Sequence, residues 1–254
     1  MSKIGLQLYT VRDKMGSPDD IAKTLEAVAK IGFKNVEACG WESVGAAEFR
    51  RMCDANGLSV CSTHYSFQIM QDDIARAIDE HQIVGAKYCG IGGLPGEYRE
   101  SAETYTKFAK LATEIGLKLQ EAGMAFSYHN HSFELAKYDG KTALDIMIDN
   151  SCGECFKNEL DLYWVQHGGG SPVAWINKLA SRAPLTHWKD MAITPDMKQY
   201  FTEVGEGNLD WKGILAACIA NNVEYYIVEQ DVCPGDSLES VAISFNNMKA
   251  MGID

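Results

Sequence analysis

The chain has 254 residues, 46% hydrophobic and 23% charged, an ordinary globular balance and a length that suits one large core or a single α/β barrel. Net charge is −12 and the pI about 4.9. Nucleic-acid binding, which needs Lys and Arg to neutralise phosphates, and anionic membranes are therefore not expected, and no apolar run approaches the roughly 18 residues of a membrane span.

The N-terminal stretch MSKIGLQLYTVRD alternates too quickly for a signal peptide, and the chain is expected to be cytoplasmic. Its first strand reads IGLQLYT, with Gln7 and Tyr9 near the end. An amphipathic helix opens at Asp19-Asp20-Ile21 and closes at Gly32, a C-cap glycine. Strands follow at NVEAC (Glu37), LSVCSTH (His64) and AKYCGI, then a helix from Thr104 to Ala122. In MAFSYHNH, strand alternation puts His129 and His131 on one face and Tyr128 and Asn130 on the other. NELDLYW carries Asp161. Ser171-Pro172 starts a helix with proline in its first turn. LTHWKDM carries His187, Lys189 and Asp190, a helix runs from Leu209 to Asn221, and YYIVEQD carries Glu229 and Asp231. His81 falls on a helix and His167 in a loop. The eight cysteines are mostly isolated thiols, and Cys152-Gly-Glu-Cys155 lacks the second pair a zinc ribbon needs.

Strands alternating with helices imply parallel pairing and right-handed crossovers. Eight such units without a linker predict a single-domain (β/α)8 TIM barrel over residues 1–254, with a doubly wound sheet as the alternative. The latter usually has fewer strands, and no GxGxxG follows the first strand. In a barrel, chemistry belongs at the C-terminal strand ends. Ionisable groups there are costly unless paired or bound to something. Asp161, His187 and Glu229 end three successive strands, and two carboxylates with an imidazole suit one divalent ion, Mn²⁺, Mg²⁺, Co²⁺ or Zn²⁺. His129 would complete four ligands.

The pieces IGLQLYTVRD, NVEACGW, STHYSF, SYHNHSFE, ELDLYWVQHGG, LTHWKDM, GEGNLDW and VEQD resemble the sugar phosphate isomerase/epimerase family. This family belongs to the xylose isomerase-like barrels, the superfamily of apurinic endonucleases, ketose 3-epimerases and inosose dehydratases. The resemblance spans nearly the whole chain. It implies one divalent metal held by Glu, Asp, His and Glu on strands 5 to 8, of which Asp161, His187 and Glu229 match the last three. The first ligand departs: YHNH stands where the epimerases have Glu. Parity selects His129, a slip by one would select Tyr128 or Asn130, and the YHNH form resembles a sub-branch that includes some inosose dehydratases and proteins acting on 3-keto-glycosides.

A metal chelating a carbonyl and its neighbouring hydroxyl acidifies the α-carbon proton. Return of that proton gives epimerisation or isomerisation, and loss of a neighbouring group gives elimination. Glu229 and His131 are the expected proton-transferring groups, the imidazole because it normally titrates near neutrality. With only one of the epimerases' paired glutamates present, a lyase acting on a keto-sugar or inosose stands close behind an isomerase. His64, Glu37, Lys189, Trp164 and Tyr9 are the expected substrate contacts. Glu37 could instead pair with Arg12, and Trp41, Trp164 and Trp188 could wall a sugar face. Gly205-Glu-Gly-Asn-Leu-Asp210 only loosely resembles a phosphate loop, which favours a neutral sugar. An abasic-site nuclease is disfavoured by the charge and six histidines. A non-catalytic sugar-binding subunit and a homo-oligomer remain open.

Overall fold

The computed structural model describes residues 2–254. Among the described residues, eight parallel strands close a barrel: β1 Ile4–Gln7, β2 Asn35–Ala38, β3 Ser59–His64, β4 Tyr88–Ile91, β5 Ala125–His129, β6 Phe156–Asp161, β7 Leu185–Trp188 and β8 Tyr225–Val228. Each pairs with its neighbours in sequence, and β1 joins β8 through Ile4↔Tyr226 and Leu6↔Val228. That seam excludes the open doubly wound sheet.

Among the described residues, seven helices return the chain from strand to strand, starting with Pro18–Ile31, and an eighth, Ser237–Ala250, follows β8. Ser17 caps that helix by accepting from Asp20 N, and Gly32 ends it at φ 127°. Helices at Ala102–Glu121, Pro172–Leu179 and Trp211–Ala220 lie within two residues of the positions read from periodicity. Two short helices, Phe67–Asp72 and Leu162–His167, are additional. The second corrects the sequence reading twice: Leu162-Tyr-Trp164 is helical rather than strand, and His167 is not in a loop. Leu8-Tyr-Thr10 likewise belongs to a 3-10 helix, Leu8–Lys14. In both places the last strand residue bends the chain by capping the helical turn beyond it. Gln7 accepts from Tyr9 N, and Asp161 Oδ1 from Trp164 N.

Strand parity decides what each face does. Phe126 and Tyr128 point outward and pack around Phe108 of the Ala102–Glu121 helix. Trp188 stacks on Trp211 and Tyr226 at 4.6 and 5.1 Å. Trp188 and Trp41 are thus core residues and wall no sugar site. Inside, Cys61, Tyr88, Leu185 and Ile227 form a separate apolar cluster. Leu185 and Ile227 share their strand faces with His187 and Glu229 two residues on, so apolar packing lies below the polar centre.

Candidate functional site

The polar centre is built from residues at the C-terminal strand ends, as barrel geometry requires. β6 pairs with β7 at Asp161↔His187, and β5 with β6 at His129↔Glu159. Inward parity does the rest. His129 Nε2 lies 3.0 Å from Asp161 Oδ2, and His187 Nδ1 lies 2.7 Å from Glu229 Oε2. One donor atom from each of His129, Asp161, His187 and Glu229 falls within 4.8 Å of the others, all four residues buried. Of the alternatives on β5, Tyr128 points outward to Glu134 and Asn130 accepts from Asp161 N. Only His129 turns its ring to the centre.

A second quartet, Glu37, His64, Glu159 and His187, also lies within 4.8 Å. Glu37 Oε2 accepts from Gln7 Nε2 at 2.7 Å and sits 2.6 Å from His187 Nε2, and Glu159 Oε2 is 2.8 Å from His64 Nε2. Glu159 is not among the sequence candidates. Its signal is available in ELD, where Glu159 and Asp161, two residues apart, share one face of the strand.

Lys189 is 1% exposed. Its ammonium contacts Glu229 Oε2 at 2.6 Å, Asp231 Oδ2 at 2.8 Å and Asp161 Oδ2 at 3.0 Å. Burial opposes every charge here; it wins at Asp231, whose carboxyl is raised, while the pairings outweigh it at Glu229, Asp161 and Lys189. Lys189, then His187, hold Glu229 well below its usual range; Lys189 and His129 hold Asp161 down; the three carboxylates hold Lys189 well above its own. His129 goes the other way: burial, reinforced by His187, lowers it to about 4. It is a neutral imidazole at pH 7, the form that ligates a metal. Burial and the neighbouring His129 lower His131 to about 3. This corrects the expectation that His131 titrates near neutrality.

A cavity of about 350 Å³ opens above the centre, lined by Tyr9, Cys39, His64, Gly92, His129, His131, Glu229 and Asp231. Of the expected substrate contacts, Tyr9 and His64 line it. Glu37 and Lys189 do not: both are buried, bonded to other site residues. Trp164 stands behind His131, ring centroids 5.4 Å apart. The Arg12–Glu37 pair does not form, because Arg12 donates to Tyr9 O and Asp231 O. The glycine loop holds no phosphate cradle either: its amides at Gly205, Gly207 and Leu209, with Met191 N and the Trp211 indole, donate to the buried Asp190 carboxylate.

The model of the xylose isomerase-like TIM barrel family matches residues 25–239. The chain belongs to that family. Solved structures agree on the fold. A sugar phosphate isomerase/epimerase from Parabacteroides distasonis superposes with a TM-score of 0.83 at 22% identity, covering 98% of this chain and 94% of that one. A D-allulose 3-epimerase from Methylomonas sp. gives 0.71 at 13% identity, covering 98% and 97%. A probable 3-DHS dehydratase from Bacillus anthracis gives 0.74 at 11%, covering 97% and 98%. No curated protein sequence matches the chain. Within the family's barrel, this chain places an imidazole on β5 and a second acidic residue, Glu159, on β6.

Proposed function

We propose that the protein is a divalent-metal-dependent sugar isomerase or epimerase that removes the proton α to a carbonyl. One observation carries the reading: four mixed N and O donors from four consecutive strands converge within 4.8 Å at the floor of a monosaccharide-sized cavity. Two carboxylates and two imidazoles suit Mn²⁺, Co²⁺ or Zn²⁺ better than a soft ion, and the neutral His129 is ready to ligate. Such an ion supplies Lewis acidity toward a carbonyl oxygen and its adjacent hydroxyl.

The remaining work falls to the chain's own groups. Glu229 lines the cavity with Oε2 fixed by His187 and Lys189. Its carboxylate is ionised at neutral pH and takes the α proton. His131 has a buried Nδ1 with no hydrogen-bond partner, and its neutral ring binds a substrate oxygen rather than carrying a charge. His64 and Tyr9 complete the wall, and Lys189 holds the anionic side together. A lyase outcome on a keto-sugar or inosose is the second reading. The observation favouring it is that β5 offers an imidazole where a two-base epimerase needs a second carboxylate, and a probable dehydratase is among the structural neighbours.

Metal analysis of the purified protein beside His187→Ala and Glu229→Ala, followed by solvent-deuterium exchange into a panel of keto-sugars, tests the reading. Bound metal weakened in both variants, with exchange at one carbon α to the carbonyl, is expected. A metal-loaded protein that exchanges no proton in any ketose, 3-keto-glycoside or inosose would reject both outcomes.

A further inference from the structure

We propose that Glu37, His64, Glu159 and His187 form a second divalent-cation site, distinct from the quartet under the cavity and sharing with it only His187. Their donors alternate nitrogen and oxygen around a closed ring. His64 Nε2 lies 2.8 Å from Glu159 Oε2 and 3.6 Å from Glu37 Oε1. His187 Nε2 lies 2.6 Å from Glu37 Oε2 and 3.4 Å from Glu159 Oε1. An ion with bonds of about 2.0–2.1 Å in tetrahedral geometry needs donors roughly 3.3 Å apart. The ring spans that value, so small carboxylate rotations create the cage.

Unsatisfied chemistry points the same way. Glu37 Oε1 and Glu159 Oε1 are buried and accept no hydrogen bond, in residues that are both 0% exposed. Orphaned carboxylate oxygens in a dry interior are costly. Lys189 is committed to Asp161, Glu229 and Asp231. Gln7 Nε2, donating to Glu37 Oε2, is the outer-shell bond that orients a ligating carboxylate.

His187 decides how two ions divide the centre. A neutral imidazole offers one lone pair. With Nε2 on the deeper ion, Nδ1–H donates to Glu229 Oε2, 2.7 Å away. The deeper ion then has four protein ligands, a closed structural set. The upper one keeps His129, Asp161 and Glu229 with a position open to substrate, the arrangement of catalytic ions. Two imidazoles and two carboxylates in a tetrahedral ring make zinc the expected occupant.

The test is zinc stoichiometry by elemental analysis after loading and desalting. Circular dichroism and thermal melts identify folded variants, and Glu37→Gln stands in if Glu159→Gln does not fold. Wild type is expected to hold two equivalents, falling to one in Glu159→Gln, in Glu37→Gln and in Asp161→Asn. One equivalent or none in the wild type, with any bound ion surviving Glu159→Gln, would overturn the proposal and leave the deeper quartet as a proton-neutralised support for His187. One equivalent lost in Glu159→Gln but kept in Asp161→Asn would uphold the deeper site and reject the metal of the proposed function.

Discussion

Replacing Lys189 by methionine keeps the side chain's length and removes its charge. The structure sets the cost. The ammonium is 1% exposed and touches Glu229, Asp231 and Asp161 at 2.6, 2.8 and 3.0 Å. Removing one partner of a buried pair costs about 3–5 kcal/mol, because the remaining charge is left without compensation. Three carboxylates contact this one cation, so Lys189→Met is expected within that range, at about 4 kcal/mol. Urea unfolding in the presence of a chelator measures it. The same oxygens, Asp161 Oδ2 and Glu229 Oε2, belong to the proposed upper metal site. Manganese should therefore restore more stability to the variant than it adds to the wild type, which gains about 2.7 kcal/mol at one hundred times Kd. A loss below about 1 kcal/mol in chelator, or equal stabilisation of both proteins by manganese, would refute the view that the lysine and the ion neutralise the same anions.

Asp190→Ala strands three buried donors, Met191 N, Leu209 N and the Trp211 indole. At about 1–3 kcal/mol for each unmet donor, a loss of about 4 kcal/mol is expected in urea unfolding, and a loss under 1 kcal/mol would show that the loop after β7 does not depend on this carboxylate. Burial raises Glu134 from an ordinary 4.5 to about 7. The protonated form is favoured in the fold, so this contribution is fully present below pH 4.5 and is lost as pH rises through 7. The change is about 3 kcal/mol, and Glu134→Gln should flatten the pH dependence of stability between pH 5 and 8; an unchanged slope would count against it. Trp188→Ala should cost about 3–5 kcal/mol yet leave deuterium exchange into substrate unchanged per folded molecule. Altered exchange would place Trp188 in the site rather than behind the wall.

Much of the architecture is legible in the amino-acid sequence. The beat of β-rich runs and amphipathic segments gives the barrel, and parity along MAFSYHNH turns His129 inward and Tyr128 outward. LYT after Gln7 and LYW after Asp161 read as strand because apolar and aromatic residues suit either state. The side chains that end those strands do so by capping, through bonds periodicity does not report. Asp161 is the clearest case: Oδ1 caps a helix while Oδ2 faces His129. Glu37 and Lys189 carry charges that sequence alone assigns to substrate, and only the register across the barrel shows each engaged with other site residues. Glu159 escapes notice because it sits one pair of residues below the strand end, a depth at which side chains are expected to be apolar.

Closure of the barrel has a consequence for how the molecule comes together. Glu37 and His187 are 150 positions apart along the chain and meet only when the second stave lies across from the seventh. A half-wound intermediate leaves each of these groups without the partner that closure supplies. The centre thus penalises incomplete assembly, and the groups proposed for chemistry also favour all-or-none closure of the ring.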